Sequence, residues 1–540
     1  MVWEQFCQIA QSYPERSCLE LEDRVYTYGE VHQLAKRLAC EFRDGCGAAF
    51  TGKTAMPSGP LGVFAAVDPL TYAGMLAAFA LERAYIPLSR KVPAESVAAV
   101  IHAAGIEHLL VCEQTVEHAC ATLSQIQHSV AVVLPESIWA NPNCVHLRAH
   151  HPQHRYLMFG GETFSDAELD PRSASDAESV AYVIHTSGST GPQKGVPITH
   201  ANLNAYLRAL DQVLPFTHTD RCSQANDLCF DLSVHDVLSC WLNGATLVPI
   251  PERYRAAPYQ YLRKAGLTVW LSTAHVAAQM FRTAGTHAPD LPSLRIVIQA
   301  GEAFPLELAE RWRAASPRSQ IWNFYGPAEG TIAVCGYRFA DGDSDPQQTG
   351  YLPIGSPFPG VEVRIEPFGD DADPTRGELL ISGPQVFRGY LGVRGELPSD
   401  SPEAPVPRPH WYATGDIVRR LESGALLFCG RSDRAVKVRG YRVDPLNVED
   451  AARRLALFAD VAALAITLDR TVRLVLCVVP GSETFEPSDA LRAVNSTLPT
   501  YMQASSVIDF QEFPLTGTGK VDYPALTKAV VERMQSQAAR

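Results

Sequence analysis

Long apolar runs and an excess of positive charge are both missing from this sequence of 540 residues. No apolar run reaches the roughly 20 residues that a membrane-spanning helix needs. No basic region followed by an apolar block opens the chain, so we expect neither a membrane partner nor a signal peptide. The 59 acidic residues exceed the 46 basic ones and give a net charge of −13. This charge argues against nucleic acid or an anionic membrane as the main partner.

Paired cysteine motifs are also missing. The 13 cysteines are scattered along the chain and form no C-x-x-C pair, so neither a zinc site nor a disulfide framework is predicted. We expect reduced, mostly buried thiols in a cytoplasmic protein. The remaining composition is 46% apolar and 19% charged, which is typical of a globular protein. The length is sufficient for two or more hydrophobic cores.

The N-terminal half shows a strand and helix alternation. Residues 1–44 predict a helix, a hairpin and a second helix, with Thr27 and Glu30 spaced as a capping box. Between residues 61 and 134, short apolar runs alternate with helical patterns, which indicates βαβ units and a parallel sheet. Residues 135–178 are polar and rich in proline, and we predict an irregular segment there.

A candidate phosphate site follows the apolar run 180–184, which predicts a buried strand. The run ends in small and hydroxyl residues: Thr186, Ser187, Gly188, Ser189, Thr190 and Gly191. Glycine permits tight backbone turns, and successive N–H groups can then converge on an anion. Lys194 adds a positive charge at the rim. A surface turn rich in serine and glycine is the alternative interpretation.

Asp231 lies within an apolar neighbourhood, in the segment 228–237. A buried carboxylate is costly unless it is paired, and no basic residue lies nearby in the sequence. One hypothesis is that Asp231 binds the ammonium group of an amino-acid substrate. The alternative is that its side chain caps a helix.

Further polar residues follow the later predicted strands, 267–271 and 294–298. Tyr325 offers a ring on which a flat base can stack, and Glu329 offers a hard oxygen for Mg²⁺. Asp416 follows a tight turn, where a carboxylate suits ribose hydroxyls. Lys520 lies in a loop with Gly517 and Gly519. Each of these also fits an ordinary loop or a solvated lysine when it is considered alone.

Together these segments resemble the adenylate-forming superfamily, which includes acyl-CoA synthetases, luciferases and adenylation domains of nonribosomal peptide synthetases. The resemblance extends from Tyr26 to Asp522 in the family's order. Its motifs here are SGSTGPQK from Ser187, FD at 230–231, QAGE from Gln299, NFYGPAE from Asn323, GELLISG from Gly377 with RGY at 388–390, YATGD from Tyr412, GRSDRAVKVRGYR from Gly430 and TGTGK ending at Lys520.

The resemblance implies an α/β fold with a large N-terminal core and a small mobile C-terminal lid. The core, residues 1–432, has parallel-type sheets flanked by helices and binds ATP and the amino acid. Residues 433–540 form the lid, with Asp433 as the hinge and Lys520 as the catalytic lysine. The lid is expected to contain helix 446–457, strands 461–467 and 472–479, helix 488–497 and a closing helix from Ala525.

The resemblance also implies roles for the motif residues. Thr190, Lys194, Glu329 and Lys520 are expected to be catalytic, with Mg²⁺ bound by Glu329 and Thr190. ATP contacts are expected from Thr186, Ser187, Gly188, Ser189, Thr190, Gly191, Lys194, Gly301, Glu302, Ala303, Asn323, Phe324, Tyr325, Asp416, Arg431 and Lys520. The sequence departs from the family at Ala328, which replaces a threonine, and at Gln193, which replaces a proline.

The family's specificity pocket maps onto a mainly apolar set of residues. These are Asp231, Leu232, His235, Leu271, Ile298, Ala300, Phe324, Ile332 and Ala333. They predict a small neutral amino acid, with L-proline favoured, although Phe324 and His235 are not typical of proline. Alanine and a β-amino acid are alternatives.

The expected activity is conversion of this amino acid and ATP to an aminoacyl-AMP, with transfer to the phosphopantetheine thiol of a separate carrier protein in secondary metabolism. No carrier-type G-G-x-S follows Asp522 and no condensation motif occurs, so we expect a free-standing enzyme. An acyl- or aryl-CoA synthetase and an inactive adenylation-like binding protein are the alternatives. Asp231 argues against the first. Lys520, Glu329 and Asp416 argue against the second.

Overall fold

The computed structural model describes most of the chain. Its described residues are 2–44, 59–160, 177–186, 194–255, 257–284, 290–340, 350–367, 373–391, 410–431, 435–455, 457–468, 471–480, 486–514 and 521–538. The chain separates into two compact units after Gly430, and the first unit contains Met1–Arg90, Ala94–Thr186 and Lys194–Gly430. We keep the boundary at residue 432 as a proposal, because 432–434 lie outside the described ranges.

The first unit alternates helices and strands. Its helices are α1 (Val2–Ser12), α2 (Tyr28–Asp44), α3 (Pro69–Ala80), α4 (Ala94–Ala103), α5 (Val116–Leu123), α6 (Glu136–Trp139), α7 (Pro142–His150), α8 (His200–Val213), α9 (Asp231–Trp241), α10 (Tyr259–Ala265), α11 (Ala274–Thr283) and α12 (Leu306–Ala315). Its strands are β1 (Ser17–Glu20), β2 (Val25–Thr27), β3 (Leu61–Phe64), β4 (Tyr85–Leu88), β5 (His108–Val111), β6 (Ala131–Pro135), β7 (Arg155–Phe159), β8 (Val180–Thr186), β9 (Lys194–Thr199), β10 (Arg221–Gln224), β11 (Thr246–Pro249), β12 (Val269–Ser272), β13 (Ile296–Ala300), β14 (Gln320–Tyr325), β15 (Cys335–Phe339), β16 (Ser356–Pro357), β17 (Glu362–Glu366), β18 (Arg376–Ser382), β19 (Tyr412–Arg420) and β20 (Leu426–Arg431).

Three sheets organise this unit within the described residues. One has the strand order β16-β15-β14-β13-β12-β10-β11-β1-β2, the second β7-β6-β5-β3-β4-β8-β9 and the third β17-β18-β19-β20. The central pairings of the first two sheets are parallel, whereas β17, β18 and β19 pair antiparallel. Parallel strands require crossover connections, and helices supply them here. The predicted α/β class is confirmed.

The second unit contains α13 (Pro445–Arg454), α14 (Pro487–Ser496) and α15 (Tyr523–Ala538). Its strands are β21 (Val436–Val438), β22 (Tyr441–Val443), β23 (Phe458–Leu468), β24 (Thr471–Pro480) and β25 (Ser506–Asp509). The long hairpin of β23 and β24 is buried on both faces. Ala463 and Leu476 lie on the face that packs with Val448 of α13. The predicted order of helices and strands is confirmed, and β25 is an additional strand parallel to β24.

The N-terminal prediction is also confirmed. Thr27 and Glu30 form the expected capping box at the start of α2: the Thr27 N–H donates to Glu30 Oε2 (2.8 Å), and the Glu30 N–H donates to Thr27 Oγ1 (3.2 Å). Such reciprocal bonds satisfy N–H groups that have no partner within the helix.

The prediction of an irregular segment at 135–178 is wrong for its first part, because α6, α7 and β7 lie there. Proline does not prevent α7, since Pro142 lies in its first turn and the Asn141 side chain accepts from the Asn143 N–H (3.0 Å). Residues 161–176 lie outside the described ranges. None of the helices in the described part of the chain is long and apolar enough to cross a bilayer.

Candidate active site

The predicted pocket residues lie on one face of the first sheet. Leu271 of β12 pairs with Ile298 of β13, and Ala300 of β13 pairs with Phe324 of β14. Residues paired across neighbouring strands, and residues two apart along a strand, point to the same face. All seven of the predicted apolar residues are buried and belong to one apolar cluster. They are Leu232, Leu271, Ile298, Ala300, Phe324, Ile332 and Ala333.

His235 closes this cluster from helix α9. It is buried, its Nδ1 is 2.6 Å from the Tyr206 hydroxyl, and its ring meets Phe324 edge-on with centroids 6.5 Å apart. Burial lowers the pKa of His235 to about 3, and burial, followed by the charge of Asp231, raises the pKa of Tyr206 far above its usual value. Both groups are therefore neutral at physiological pH, which makes this wall uncharged.

Asp231 is the first helical residue of α9, and its residue exposure is only 9%. Phe230 occupies the N-cap position and makes no capping hydrogen bond with its side chain. Asp231 is therefore not the capping residue of α9, contrary to the alternative interpretation. A negative charge in the first turn is favoured by the helix dipole. Burial raises the pKa of the Tyr182 and Tyr206 phenols, and the negative charge of Asp231 raises both further. The acid thus adjoins the Tyr206–His235 wall of the apolar cluster.

Two predicted nucleotide residues, Tyr325 and Asp416, are in direct contact. The Tyr325 hydroxyl donates to Asp416 Oδ2 at 2.5 Å, and both side chains are buried. Burial, and then Asp416, raises the pKa of Tyr325 well above its ordinary range, so the phenol stays protonated and donates. The turn at Asp416 is held by the Thr414 hydroxyl, which accepts from the Asp416 N–H at 3.1 Å and donates to the Leu379 carbonyl at 2.8 Å.

Glu329 and Lys194 approach each other through Tyr390. The Glu329 carboxylate is 1% exposed and accepts from the Tyr390 hydroxyl at 2.6 Å. The Tyr390 oxygen is also 3.2 Å from the Tyr412 hydroxyl, and Lys194 Nζ lies 5.1 Å from the centroid of the Tyr390 ring. A cation over an aromatic face is attracted by the ring quadrupole. The Glu329–Tyr390–Lys194 cluster therefore joins an acid and a base that are far apart in sequence.

The backbone after Glu329 is strained. Thr331 and Ile332 have φ of 61° and 72°, a region that is unfavourable for β-branched residues. Gly326 permits this turn, because a Cβ there would lie 2.6 Å from the Ile332 carbonyl oxygen and 2.7 Å from Ala333 Cα. Gln385 holds the turn from outside by donating to the Ala333 carbonyl at 2.8 Å. The packing of Ile332 and Ala333 in the apolar cluster helps to hold the backbone in this unfavourable conformation.

The predicted residues after β13 and within β14 have other contacts. Gly301 has φ of 84°, and Glu302 Oε2 accepts from the His275 N–H at 2.8 Å, near the start of α11. Ala303 is exposed. The Asn323 amide is buried and donates to the Pro353 carbonyl at 2.8 Å, and Asn323 alternates with Phe324 along β14. Its side chain therefore points away from the apolar cluster.

Thr186 and Lys194 are paired directly, as the facing ends of β8 and β9. Arg431 is the last residue of β20. Several predicted residues lie outside the described residues, as does the Gln193 departure: Ser187, Gly188, Ser189, Thr190, Gly191, Asp433 and Lys520. Their roles stay predictions.

A Mg²⁺ ion suits Glu329 chemically. A carboxylate oxygen is a hard ligand, and Mg²⁺ bound with nucleotides commonly uses one or two carboxylates together with phosphate oxygens. Among the described residues, no group of three or more His, Cys, Asp or Glu side chains could hold a metal ion. The fit is therefore to an ion bound jointly with a nucleotide.

Sequence comparison identifies the family. The model described as "AMP-binding enzyme" matches residues 6–391. The chain belongs to this family. A dimodular nonribosomal peptide synthase of Bacillus subtilis is 30% identical over 97% of the chain, which spans 21% of that synthase. A D-alanine–D-alanyl carrier protein ligase of Bacillus licheniformis is 26% identical, and the match covers 96% of this chain and 98% of the ligase.

Solved structures agree with this assignment. The Vibrio cholerae adenylation domain AlmE, in complex with glycyl-adenosine-5'-phosphate, has a TM-score of 0.83 at 26% identity and covers 98% of both chains. IdnL7 has a TM-score of 0.68 at 28% identity, covering 98% of this chain and 99% of its own. The recognition of the adenylate-forming superfamily is confirmed, and the family supports an AMP-forming ligase that uses ATP.

Sequence reasoning assigned no role to Tyr390, Tyr412 or Tyr206. Tyr390 ends the RGY motif and Tyr412 begins the YATGD motif. Both therefore lie in family motifs, but the motifs did not indicate a role for their hydroxyl groups. Tyr206 lies on the buried face of α8, where helical periodicity predicts core packing. The sequence contained no signal of its hydrogen bond with His235.

Proposed function

We propose that the protein activates a small neutral amino acid with ATP, forms an aminoacyl-AMP and releases pyrophosphate. The observation that carries this proposal is the position of Asp231. A nearly buried carboxylate adjoins the uncharged Tyr206–His235 wall of the apolar cluster to which β12, β13 and β14 contribute. A substrate ammonium group would pair with this acid, while its side chain would enter the apolar cluster.

The described residues also fit the nucleotide. Asp416 would accept hydrogen bonds from ribose hydroxyls, and the Tyr325 hydroxyl fixes the orientation of its carboxylate. Lys194 would contribute positive charge towards the phosphates from its place over the Tyr390 ring. Glu329, oriented by Tyr390, would hold Mg²⁺. The bound ion would neutralise charge on the departing pyrophosphate. Catalysis would otherwise depend on positioning the reactants.

Transfer to a carrier protein is the second part of the proposal. The B. licheniformis relative is a carrier protein ligase and matches the chain nearly end to end. A thioester would form when a phosphopantetheine thiol attacks the aminoacyl carbonyl and AMP leaves. Lys520, Asp433 and the lid are assigned to these steps by family resemblance. We further propose that the protein acts in the cytoplasm.

The preference for a small neutral amino acid follows from the chemistry of the residues around Asp231. Leu271, Ile298 and Phe324 contribute apolar side chains from three strands, and His235 adds a neutral ring. We favour a small apolar amino acid such as proline, with alanine, glycine and β-alanine as further candidates. The complex of the AlmE relative contains a glycyl adenylate, which supports including glycine.

Substrate-dependent exchange of pyrophosphate into ATP tests this function. The panel contains proline, alanine, glycine and β-alanine, together with a fatty acid and an aryl acid. We expect exchange with at least one amino acid and none with the last two. Exchange with the fatty or aryl acid alone would indicate an acyl- or aryl-CoA synthetase. Adenylate formation in the absence of exchange would be sought by mass spectrometry, and no product from any acid would refute the proposal.

A further inference from the structure

A pair of histidines lies on α7, a helix that carries none of the site residues assigned above. His146 and His150 are both exposed, one helical turn apart, with ring centroids 4.0 Å apart and an interplanar angle of 25°. Residues four apart on a helix share one face. Two histidines at this spacing are the arrangement that helical zinc sites use. The two rings are stacked in this structure, and rotation about their side-chain torsions would turn one nitrogen of each towards a shared ion.

The helix that carries the pair is firmly held on its other side. Cys144 and Leu147 are buried, and Arg148 Nη1 donates to the Trp139 carbonyl at 2.8 Å with its guanidinium 4.1 Å from the Trp139 ring centroid. Such anchoring fixes the backbone positions of both histidines. Ligand binding then costs less conformational entropy, because the backbone that carries both side chains is already ordered.

The hydrogen bond of His150 decides which ring nitrogen faces a ligand. His150 Nδ1 is 2.9 Å from the His146 carbonyl oxygen, and a carbonyl oxygen can only accept, so Nδ1 carries the proton. In the neutral ring the lone pair is then on Nε2. Metal-binding histidines characteristically donate their second ring N–H to a carbonyl or carboxylate, which fixes the tautomer. The backbone of α7 supplies this second contact.

We propose that His146 and His150 chelate a divalent transition-metal ion of the Zn²⁺, Ni²⁺ or Cu²⁺ class through their ring nitrogens, with water completing the coordination. Imidazole suits these ions. With Zn–N bonds of about 2.0–2.1 Å and tetrahedral angles, two ligating nitrogens lie about 3.3 Å apart, a separation that side chains four positions apart on one helical face can reach. The described residues offer no group of three ligands, so two protein ligands define the site.

Other histidine pairs are less suitable. The rings of His102 and His128 are 5.7 Å apart at 52°, and those of His151 and His154 are 6.3 Å apart. His154 is buried, with its Nε2 3.1 Å from the Leu123 carbonyl. These residues therefore serve as internal comparisons for the pair on α7.

The test is calorimetric titration of the full chain with Zn²⁺ in the absence of nucleotide, together with Cu²⁺ electron paramagnetic resonance. We expect one ion per chain at this site and two nitrogen ligands in the spectrum. His146→Ala and His150→Ala should each weaken binding by about 10²-fold, because each leaves a single ligand without the effective concentration of its neighbour. The double variant, which retains neither ligand, should show no binding at this site.

A matched control moves one histidine without reducing their number. The double change Val145→His with His146→Ala replaces the exposed Val145 and shifts the spacing to five residues, which takes the ring off the shared face. It should bind Zn²⁺ as weakly as His146→Ala alone, whereas His102→Ala should bind as the wild type does. Unchanged affinity in the two single α7 variants, or equal weakening by His102→Ala, would overturn the proposal.

Discussion

Acid sensitivity of the first unit follows from its buried histidines. His108 is 1% exposed, and burial, followed by the charge of Arg83, lowers its pKa to about 3. Arg83 Nη2 lies 2.8 Å from His108 Nδ1, so the ring nitrogen accepts from a cation and resists protonation. Burial also lowers the pKa of His200 to about 4 and that of His235 to about 3. All three histidines are neutral in the folded protein.

The sign of the effect is set by the unfolded chain, in which histidine binds a proton below a pH of about 6.5. The folded-state pKa is depressed, so the stability due to His108 is complete above pH 6.5 and is lost as the pH falls towards 3. The free energy of unfolding falls by up to about 1.4 kcal/mol per pH unit, and the total loss is about 2.5 kcal/mol at pH 4.5. For a unit of this size, that corresponds to about 3 °C in Tm.

The variant His108→Gln isolates this contribution, because the glutamine carbonyl can still accept from Arg83 but does not titrate in this range. Thermal melts at pH 7.5 and 4.5 should show a fall in Tm that is about 3 °C smaller in the variant than in the wild type. The exposed His102→Gln is the control and should fall as the wild type does. An equal fall in His108→Gln and wild type would refute the reasoning.

Three further predictions concern the site and its support. Tyr390→Phe removes the hydroxyl that donates to Glu329 at 2.6 Å. A hydrogen bond to a charged group contributes about 1.5–3 kcal/mol, so kcat/KM for ATP in pyrophosphate exchange should fall at least about tenfold. An unchanged value would contradict the assigned role. Tyr325→Phe removes the donor to Asp416 and should raise the KM for ATP more than that for the amino acid, which initial-rate kinetics would show; equal changes in both KM values would count against a ribose contact. Burial raises the pKa of Asp236 well above its usual value, so its stabilising contribution is complete below pH 4 and is lost as the pH rises; Asp236→Asn should therefore raise Tm relative to wild type more at pH 8 than at pH 5, and a pH-independent difference would exclude this account.

The sequence predicted strands at 267–271 and 294–298, and β12 and β13 overlap them with ends displaced by one or two residues, because apolar runs are local signals. Phe324 and Tyr325 end a buried strand, and Glu329 follows within the same motif. Their partners could not be predicted in this way. The contact of Glu329 with Tyr390 spans 61 positions, and that of Tyr325 with Asp416 spans 91. Such pairings depend on how two sheets place their loops, and no local periodicity records this.

The segment 136–159 shows a different limit. Its helices are short, and the prolines of this region favoured an irregular segment, although Pro142 occupies the first turn of α7. Proline at that position loses no hydrogen bond, because the first N–H groups of a helix have no partner within it. The strand β7 is only five residues long and mostly not fully buried, so its apolar pattern was too weak to indicate a strand.

Family resemblance supplied what local patterns could not. It connected Asp231, which is nearly buried on α9, with the apolar residues of three strands, and the structure places them beside one cluster. Two roles of Asp231 give different predictions: pairing with a substrate ammonium group, and stabilisation of the start of α9 through the helix dipole.

Pyrophosphate exchange with matched acids separates these roles most directly. Each active amino acid is compared with the same acid lacking its amino group, in the wild type and in Asp231→Ala. We predict that the wild type strongly prefers the amino acid and that the variant loses at least about 10²-fold of this activity, as expected when a substrate charge loses a buried partner. Exchange at the wild-type rate in the variant, or equal use of both acids by the wild type, would contradict the account.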